Sequence, residues 1–321
     1  MNFLVENCSC LKIHFAWINK LILVENGDIV SCSDDLKIIV FDSIFFKEKL
    51  QINIFENIIT YIQNILNNCI IATSQNIMKI IKLSNSNTKY EIIQNIILDS
   101  LIFKAIPYKN EHLVSCSNNS HLYFYKKNNS KFILIKEINT KTGTITSILE
   151  LSNNEIVSSS YSSKLLIFWD INSLNEKARI GEIRCEYISL HDSIIQLNNK
   201  FLAVGLDENG ILLINYLSHT IEKKLINNTK TYTTLNILKN GLLFLTCCYG
   251  HNSNHKYYKY IDIELYKIEE NFNLNLIGIK KNVHYEPISS CIELNNGNIL
   301  SGSYDQTIKE WKIMNKNIFN F

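Results

Sequence analysis

Arginine, proline and glycine are scarce in this chain of 321 residues, which has two prolines, ten glycines and arginine only at Arg179 and Arg184. The formal net charge is +2, and lysines alternate with acidic residues without forming a basic run. Such a balance gives no long-range field that would attract nucleic acid or an anionic membrane. We therefore expect no nucleic-acid partner.

Disulfide and targeting signals are also missing. The nine cysteines are an odd and dispersed set, which is not typical of a disulfide framework. Buried free thiols in a reducing compartment are the simpler interpretation. Residues 1–15 lack a basic region followed by a long apolar core, so we expect no signal peptide. No stretch is apolar enough to predict a membrane span. The sequence thus predicts an intracellular protein, cytoplasmic or nuclear.

Motifs for catalysis and cofactor binding are missing too. The sequence has no P-loop and no glycine-rich dinucleotide fingerprint. No pair of carboxylates stands out for acid–base work, and helical periodicity is absent throughout. We therefore predict no catalytic residue, no cofactor and a chain built from β-strands.

The chain does contain a short pattern that returns seven times, a polar turn followed by a run of small and apolar residues. Copies are 41 to 56 residues apart, and their anchors are Ser31, Ala72, Ser115, Ser158, Val204, Leu245 and Ser301. A repeat of this length is one supersecondary unit that cannot bury its apolar face alone. Asparagine tolerates the left-handed conformation almost as glycine does, so it can replace glycine in these turns. Paired asparagines stand at Asn67-Asn68, Asn153-Asn154 and Asn295-Asn296.

Each repeat carries four short β-rich runs separated by turn signals. In the first repeat the third run is Leu36–Asp42 and the fourth is Lys47–Phe55. Four antiparallel strands repeated seven times, without β-α alternation, suit radial repetition around an axis. The predicted fold is therefore all-β: a seven-bladed β-propeller of four-stranded antiparallel blades, forming a single domain over residues 1–321.

The third runs and the last repeat carry a family resemblance. Phe41-Asp42 and Trp169-Asp170 end the third runs of repeats one and four, and the last repeat spans His284–Trp311. With these residues the chain resembles the WD40-repeat β-propellers over nearly its full length. Repeats two, five and six match weakly. Kelch propellers are disfavoured because the sequence has no Gly-Gly pair.

The last repeat is short of a fourth strand, since only Met314–Phe321 follow its third run. In WD40 propellers an N-terminal strand completes the last blade. We expect Asn2–Phe15 to do so here and to close the ring, with Asn317–Phe321 as the rival donor. Closure removes the exposed sheet edges that invite aggregation.

His284, Ser301, Asp305 and Trp311 include the residue types of a Ser-His-Asp hydrolase. A nucleophile on a buried strand has no access to substrate, however, and no oxyanion donors are evident. The spacing instead resembles the hydrogen-bonded tetrad of WD40 blades. That resemblance implies a structural network in which Trp donates to Ser, Ser to His and His to Asp.

Other blades carry parts of this set. Blade one has Phe41 at the Trp position, so its network lacks a donor, and its remaining members are His14, Ser31 and Asp35. In blade four Ser158 is present, and Trp169 is displaced by one place, as a longer turn would require. Blade three has Ser115, Asn119 and Tyr125.

Two clusters have the ligand types of a zinc site. The first has no fourth partner nearby and consists of Cys8, Cys10 and His14. The second contains adjacent cysteines, which point to opposite faces of a strand; it consists of Cys247, Cys248, His251 and His255. We therefore predict no metal site. We expect a core strand followed by a polar, tyrosine-rich loop, Tyr249–Tyr260, which is either a contact surface or a plain insertion.

The partner-binding surface is predicted from strand order. In antiparallel blades the turns after the second and fourth strands share one end, and in WD40 proteins the residue three after the anchor often contacts partners. Gln75 and Cys248 also stand three residues after their anchors, which we call the ring position. Aromatic residues are the expected anchors, and Asn154 and Asn296 lie at the opposite end. The predicted partner contacts are Asp34, Asn118, Tyr161, Asp207, Tyr285, Glu286 and Tyr304.

These features together predict a non-enzymatic scaffold that binds one or more proteins or peptides as a subunit of a larger complex. Two alternatives stay open. A phosphoinositide- or membrane-associated propeller would need an exposed basic pair or an apolar membrane loop, and neither Arg179 nor Arg184 has an arginine neighbour. A propeller enzyme would need titratable residues converging on the central channel, which the sequence does not display.

Overall fold

The computed structural model describes residues 3–109, 111–181, 183, 193–206, 210–226, 230–252 and 255–315, without the side chains of 3–8, 250–259 and 315. These residues form 28 β-strands, and among them no helix has the length and apolar character needed to cross a membrane. The first strands are β1 (Phe3–Leu11), β2 (Ile18–Leu23), β3 (Ile29–Ser33), β4 (Ile38–Phe41), β5 (Glu48–Ile52), β6 (Tyr61–Ile65), β7 (Cys69–Ser74), β8 (Ile77–Leu83), β9 (Tyr90–Ile97), β10 (Ile102–Tyr108), β11 (His112–Ser117), β12 (His121–Asn128), β13 (Lys131–Asn139) and β14 (Ile145–Leu151). The remaining strands are β15 (Glu155–Ser160), β16 (Leu165–Asp170), β17 (Glu176–Ile180), β18 (Ile194–Gln196), β19 (Phe201–Leu206), β20 (Gly210–Asn215), β21 (Thr220–Ile226), β22 (Thr231–Ile237), β23 (Leu243–Asn252), β24 (His255–Ile268), β25 (Leu274–Lys280), β26 (Ile288–Glu293), β27 (Ile299–Ser303) and β28 (Ile308–Asn315).

The strands form seven antiparallel sheets of four, which are the blades of a β-propeller. Blades one to six use consecutive strands: β2–β5, β6–β9, β10–β13, β14–β17, β18–β21 and β22–β25. Blade seven has the order β1-β28-β27-β26. The predicted fold class, all-β with seven four-stranded antiparallel blades, is confirmed.

The strand β1 is the outer strand of blade seven. It pairs antiparallel with β28 over eight residue pairs. Its bounds are shorter than the expected segment Asn2–Phe15, and the rival segment Asn317–Phe321 lies outside the described residues. That all seven blades form one closed domain stays a prediction.

The chain divides into two compact units. Residues 14–182 contain blades one to four, whose first strands β2, β6, β10 and β14 pack against one another in succession. Apolar cores fill the spaces between neighbouring blades: Val40 and Ile62 lie between blades one and two, Ile80 and Tyr123 between two and three, and Trp169 in the core of three and four.

Residues 1–13 with 183–321 form the second unit, which contains blades five to seven. Its inner strand β22 packs against β19 and β26. Phe244 and Trp311 lie in the core of blades six and seven, and Ala203 and Tyr232 lie in the core of blades five and six. Burial of these large side chains is the main stabilising contribution in each unit.

Asparagine performs the role of glycine in several turns. The backbone is left-handed at Asn67 (φ 67°), Asn68 (φ 55°) and Asn154 (φ 63°). In the turn after Asn295-Asn296 the left-handed residue is Gly297 instead (φ 84°). The short polar side chain of Asn allows this conformation at low cost.

The tyrosine-rich segment Tyr249–Tyr260 is not a loop, which corrects that expectation. The strands β23 and β24 continue past the blade as a hairpin, in which Tyr249 lies opposite Tyr260. The two rings stack with their centroids 5.1 Å apart. Tyrosine has a high strand propensity, and cross-strand aromatic pairs stabilise a hairpin. Residues 253–254 lie outside the described part.

Candidate protein-binding surface

The tetrad of blade seven joins β27 and β28 to the segment before β26. Trp311 Nε1 donates to Ser301 Oγ at 2.7 Å, and His284 Nε2 lies 2.8 Å from the same oxygen. His284 Nδ1 lies 2.7 Å from Asp305 Oδ2. Ser301 is fully buried, so its hydroxyl is not presented to a substrate as a hydrolase nucleophile must be.

The charges of the tetrad define the direction of its hydrogen bonds. Burial alone raises the pKa of Asp305, but the bonds from His284 and Thr307 bring it well below its usual range. Burial lowers the pKa of His284, and Asp305 only partly opposes this. A neutral His284 therefore donates from Nδ1 to the carboxylate, accepts at Nε2 from Ser301, and leaves the serine oxygen to accept from tryptophan.

This network fixes the backbone at an exposed aromatic residue. The Tyr285 N–H donates to Asp305 Oδ2 at 3.1 Å, and Ser303 Oγ donates to the Glu286 carbonyl at 2.8 Å. The Tyr285 side chain is 89% exposed, with Lys309 Nζ 5.9 Å from its ring centroid. A large apolar ring is thus held in solvent on a rigid segment.

Blade one repeats this arrangement without the tryptophan. His14 lies 2.8 Å from Asp35 Oδ2 and 2.7 Å from Ser31 Oγ. The Phe15 N–H donates to Asp35 at 3.1 Å, and the Phe15 ring is 74% exposed. Phe41 is fully buried at the Trp position and supplies no donor. The shorter network still fixes an exposed aromatic residue after its histidine.

In blade four the displaced tryptophan reaches its serine. Trp169 Nε1 donates to Ser158 Oγ at 2.8 Å. Four residues, 161–164, separate the paired residues Ser160 and Leu165, whereas three, 304–306, separate Ser303 and Thr307 in blade seven. The longer turn therefore explains the displacement.

Blade three departs from the tetrad pattern. The side chain of Asn119 accepts from Ser117 Oγ at 2.5 Å, and its amide donates to Tyr123 OH at 3.4 Å. Asn119 thus bonds within its own turn region, although it stands where Asp305 stands in blade seven. Ser115 and Tyr125 are buried on neighbouring strands.

Blade six contains a charged network that the sequence analysis missed. Glu264 is buried and accepts from Tyr232 OH at 2.9 Å, Tyr266 OH at 2.8 Å and Lys230 Nζ at 2.5 Å. Tyr266 stands in the register position of Trp311, since each lies opposite the residue two before its anchor. Asp262, Glu264 and Tyr266 are two residues apart along the strand and so lie on one face. This spacing is the sequence pattern from which the network could have been predicted.

The predicted partner contacts of the unit 14–182 all lie in turns between second and third strands. Asp34 is half-buried and accepts from Asn19 Nδ2 at 2.7 Å. Asn118 is exposed, and its Oδ1 accepts from the Leu101 N–H at 3.1 Å. Tyr161 is 44% exposed. The aromatic ring is therefore the most accessible apolar group of the three.

In the other unit the predicted contacts differ in exposure. Tyr285 is almost fully exposed, whereas Glu286 and Tyr304 are half-buried. Burial raises the pKa of Glu286, and the charge of Asp305 adds to the rise. Asp207 lies outside the described residues. Tyr285 is thus the foremost candidate contact in this unit.

Three further apolar residues were missed by the sequence analysis. Trp17, Ile58 and Leu101 are 45%, 43% and 43% exposed in the segments that precede first strands. With Phe15 and Tyr161 they place exposed apolar groups at one end of the blades in residues 14–182, which we call the candidate binding end. An aromatic residue directly follows each tetrad histidine, Phe15 after His14 and Tyr285 after His284. From this shared position Phe15 could have been predicted as a second exposed aromatic residue.

The candidate metal residues are only partly described. Cys247 and Cys248 are fully buried in β23, and Cys10 is exposed. Cys248 therefore does not lie in a turn, which corrects its assignment to the ring position; β23 simply continues past it. The side chains of Cys8, His251 and His255 lie outside the described part, within which no three His, Cys, Asp or Glu side chains are grouped to hold a metal.

The comparison with known protein families bears on the last repeat. Residues 279–312 match the family model of the WD domain, G-beta repeat. The match contains the complete tetrad. No curated protein matches the chain. Together with the seven four-stranded blades, the match confirms the resemblance to WD40-repeat β-propellers.

Trp311→Phe should lower the free energy of unfolding by about 1–3 kcal/mol, because Ser301 loses a buried donor. Urea unfolding of the full chain measures the loss. The same change in a Ser301→Ala background should cost less, since the partner oxygen is already gone. Equal costs in both backgrounds would show that the indole bond contributes nothing.

Proposed function

We propose that this protein is a non-enzymatic scaffold that binds protein or peptide partners through exposed aromatic residues, Phe15 in the unit 14–182 and Tyr285 in the other unit. The observation that carries the proposal is the pair of exposed aromatic residues Phe15 and Tyr285. Each has its backbone N–H bonded to the aspartate of a buried network. Rigidly held aromatic groups bind partners with little loss of conformational entropy.

The family supports the coarse part of this proposal, since WD40 propellers are generally protein-interaction scaffolds. The buried Ser301 supports its non-enzymatic part. The side-chain hydroxyl at the centre of the Ser-His-Asp arrangement is bonded to Trp311 and closed off from solvent. An acyl-transfer nucleophile needs an adjacent space in which a carbonyl and its oxyanion donors can meet.

We also propose an intracellular location, in the cytoplasm or nucleus, as a subunit of a larger complex. Free cysteines support the location, because Cys32, Cys116 and Cys247 are buried and unpaired with another cysteine. Burial raises the pKa of the Cys116 thiol to about 12, so it remains a neutral core group. Imaging of the tagged full chain checks the location, and secretion would contradict it.

Phe15→Ala combined with Tyr285→Ala should reduce partner recovery about tenfold or more, since aromatic anchors contribute about 2 kcal/mol at interfaces. The experiment is affinity purification of the tagged full chain from its own cells, with quantitative mass spectrometry. Fixed stoichiometry of the recovered proteins is the expected result for a complex subunit. Thermal melting confirms that the variants remain folded.

The matched control is Phe45→Ala combined with Leu217→Ala. These residues are 84% and 54% exposed, and both lie in turns between third and fourth strands, at the other end of their blades. The control should leave recovery unchanged. Loss of partners only in the control would assign partner binding to the turns between third and fourth strands, and the absence of any stoichiometric partner would overturn the scaffold proposal.

A further inference from the structure

A groove of about 300 Å³ opens between blades two and three, within residues 14–182. It lies at the end of these blades that carries the β6–β7, β10–β11 and β12–β13 turns, opposite the candidate binding end. Its lining is mainly apolar. The apolar lining side chains include Ile65, Ile80, Ile93, Leu113 and Phe132.

The groove is held open by a side-chain clamp between the two blades. Gln94 Nε2 donates to the Phe132 carbonyl at 2.8 Å, and the Phe132 N–H donates to Gln94 Oε1 at 2.7 Å. One amide thus satisfies both backbone groups of a residue on β13 from its position on β9. This pair of hydrogen bonds fixes the two outer strands relative to each other. The groove is therefore preformed, which lowers the entropic cost of binding.

The rim of the groove is positively charged. It contains Lys82, Lys109 and Lys127 against the single carboxylate of Glu111, and Lys109 Nζ bonds to the neutral amide oxygen of Asn172 at 2.5 Å. Among the described residues of this unit, neither Lys82 nor Lys127 forms a salt bridge. The lysines of both blades therefore present cationic groups that can pair with an anionic partner, although Glu91 lies opposite Lys82 on the neighbouring strand.

The positions of two lysines relative to Cys69 show that they converge. Burial raises the pKa of the half-buried Cys69 thiol; the charges of Lys82 and Lys127 oppose that rise, and the charges of Glu25 and Glu91 add to it. Lys82 belongs to blade two and Lys127 to blade three. The two charges thus approach one side of the groove from different blades.

We propose that this groove binds an extended peptide segment of a partner protein, in which one large apolar side chain is flanked by aspartate or glutamate. The apolar lining accepts the anchor side chain, and Leu66, 60% exposed on the rim, extends the apolar contact. The lysines pair with the flanking carboxylates. A small inorganic anion would satisfy the lysines but leave the apolar surface in water, which favours the peptide. This site is separate from the candidate binding end, which lies at the opposite end of these blades.

The test uses a random heptapeptide library displayed on phage and selected against the folded full chain. A wash with the soluble Lys82→Glu, Lys127→Glu variant removes peptides that bind elsewhere on the chain, because this variant keeps those other sites but lacks the two groove lysines. We expect selected peptides to combine an aromatic or leucine side chain with neighbouring acidic residues. As synthetic peptides they should bind the double variant and Leu66→Ser at least about tenfold more weakly, since both rim charges and rim apolar contact contribute.

The control is Lys47→Glu combined with Lys89→Glu, which makes the same change in net charge at two exposed lysines outside the groove. It should bind as the unaltered chain does, and Phe15→Ala should also have no effect. Selection of basic peptides, equal binding by groove and control variants, or no peptide that depends on the groove would each overturn the proposal. Thermal melting establishes that every variant remains folded.

Discussion

Removal of residues 2–11 should lower the free energy of unfolding by roughly 4 kcal/mol or more, because β1 pairs with β28 along eight residues and each net hydrogen bond contributes about 0.5–1.5 kcal/mol. A typical domain is stable by only about 5–15 kcal/mol. The deletion also exposes the edge of β28, which is a template for aggregation. We therefore expect a large fall in melting temperature or loss of soluble protein.

The matched control is deletion of residues 317–321, the rival donor segment. Because β1 occupies the outer edge of β28, this second deletion should change the melting temperature little. A synthetic peptide of residues 1–15 added to the first variant should restore its melting temperature as the concentration rises. This rescue tests the pairing even where the deletion variant is poorly soluble.

Two results would contradict the assignment. One is an unchanged melting temperature after deletion of residues 2–11. The other is destabilisation by the 317–321 deletion of equal size, which would make the C-terminal segment the strand that pairs with β28.

The blade count was predictable because its signal is repeated. Each repeat has its own turn, and the period limits the unit to four short strands. The tetrad of blade seven was predictable for a related reason. Histidine, serine, aspartate and tryptophan stand at the offsets of the WD40 tetrad, so the resemblance to that family, and not spacing alone, assigned Trp311 its role.

Blade six could not be predicted in the same way. Its network uses Lys230, Glu264 and two tyrosines, and these residue types also occur on solvent-exposed strand faces. Which face is buried depends on the pairing register of β23 and β24, and a shift of one residue would reverse it. Tyr249–Tyr260 looked like a loop for a different reason, since the polar run His251–Lys256 lies at its centre.

The degree of exposure of the candidate contact residues also could not be predicted from the sequence. Tyr304 and Tyr285 are both tyrosines in predicted loops, yet only Tyr285 projects almost fully into solvent. Phe15 occupies the equivalent place in blade one. The difference arises from how closely each ring packs on its own blade, which strand periodicity does not encode.

Glu264→Ala should destabilise the chain by about 3–5 kcal/mol, because it leaves two buried hydroxyls without their acceptor and the Lys230 ammonium with only Asp262 Oδ2, 3.9 Å away. Glu264 accepts from Lys230, Tyr232 and Tyr266, and it is only 3% exposed. Burial alone lowers the pKa of Lys230, but Cys247 and the bond to Glu264 raise it overall. The ammonium is therefore charged at neutral pH and needs its partner.

Glu176→Ala is the matched control, since the Arg179–Glu176 pair is also an ion pair but its side chains are 41% and 33% exposed. Solvent screening should limit its effect to about 1 kcal/mol or less. Glu264→Gln keeps acceptors for the tyrosines and should fall between the two. Adding Lys230→Met to Glu264→Gln should recover part of the loss, because the ammonium that has lost its nearest carboxylate is then removed. Urea unfolding measures all four variants. If Glu264→Ala costs no more than Glu176→Ala, blade six is held by its apolar core alone and the charged network is incidental.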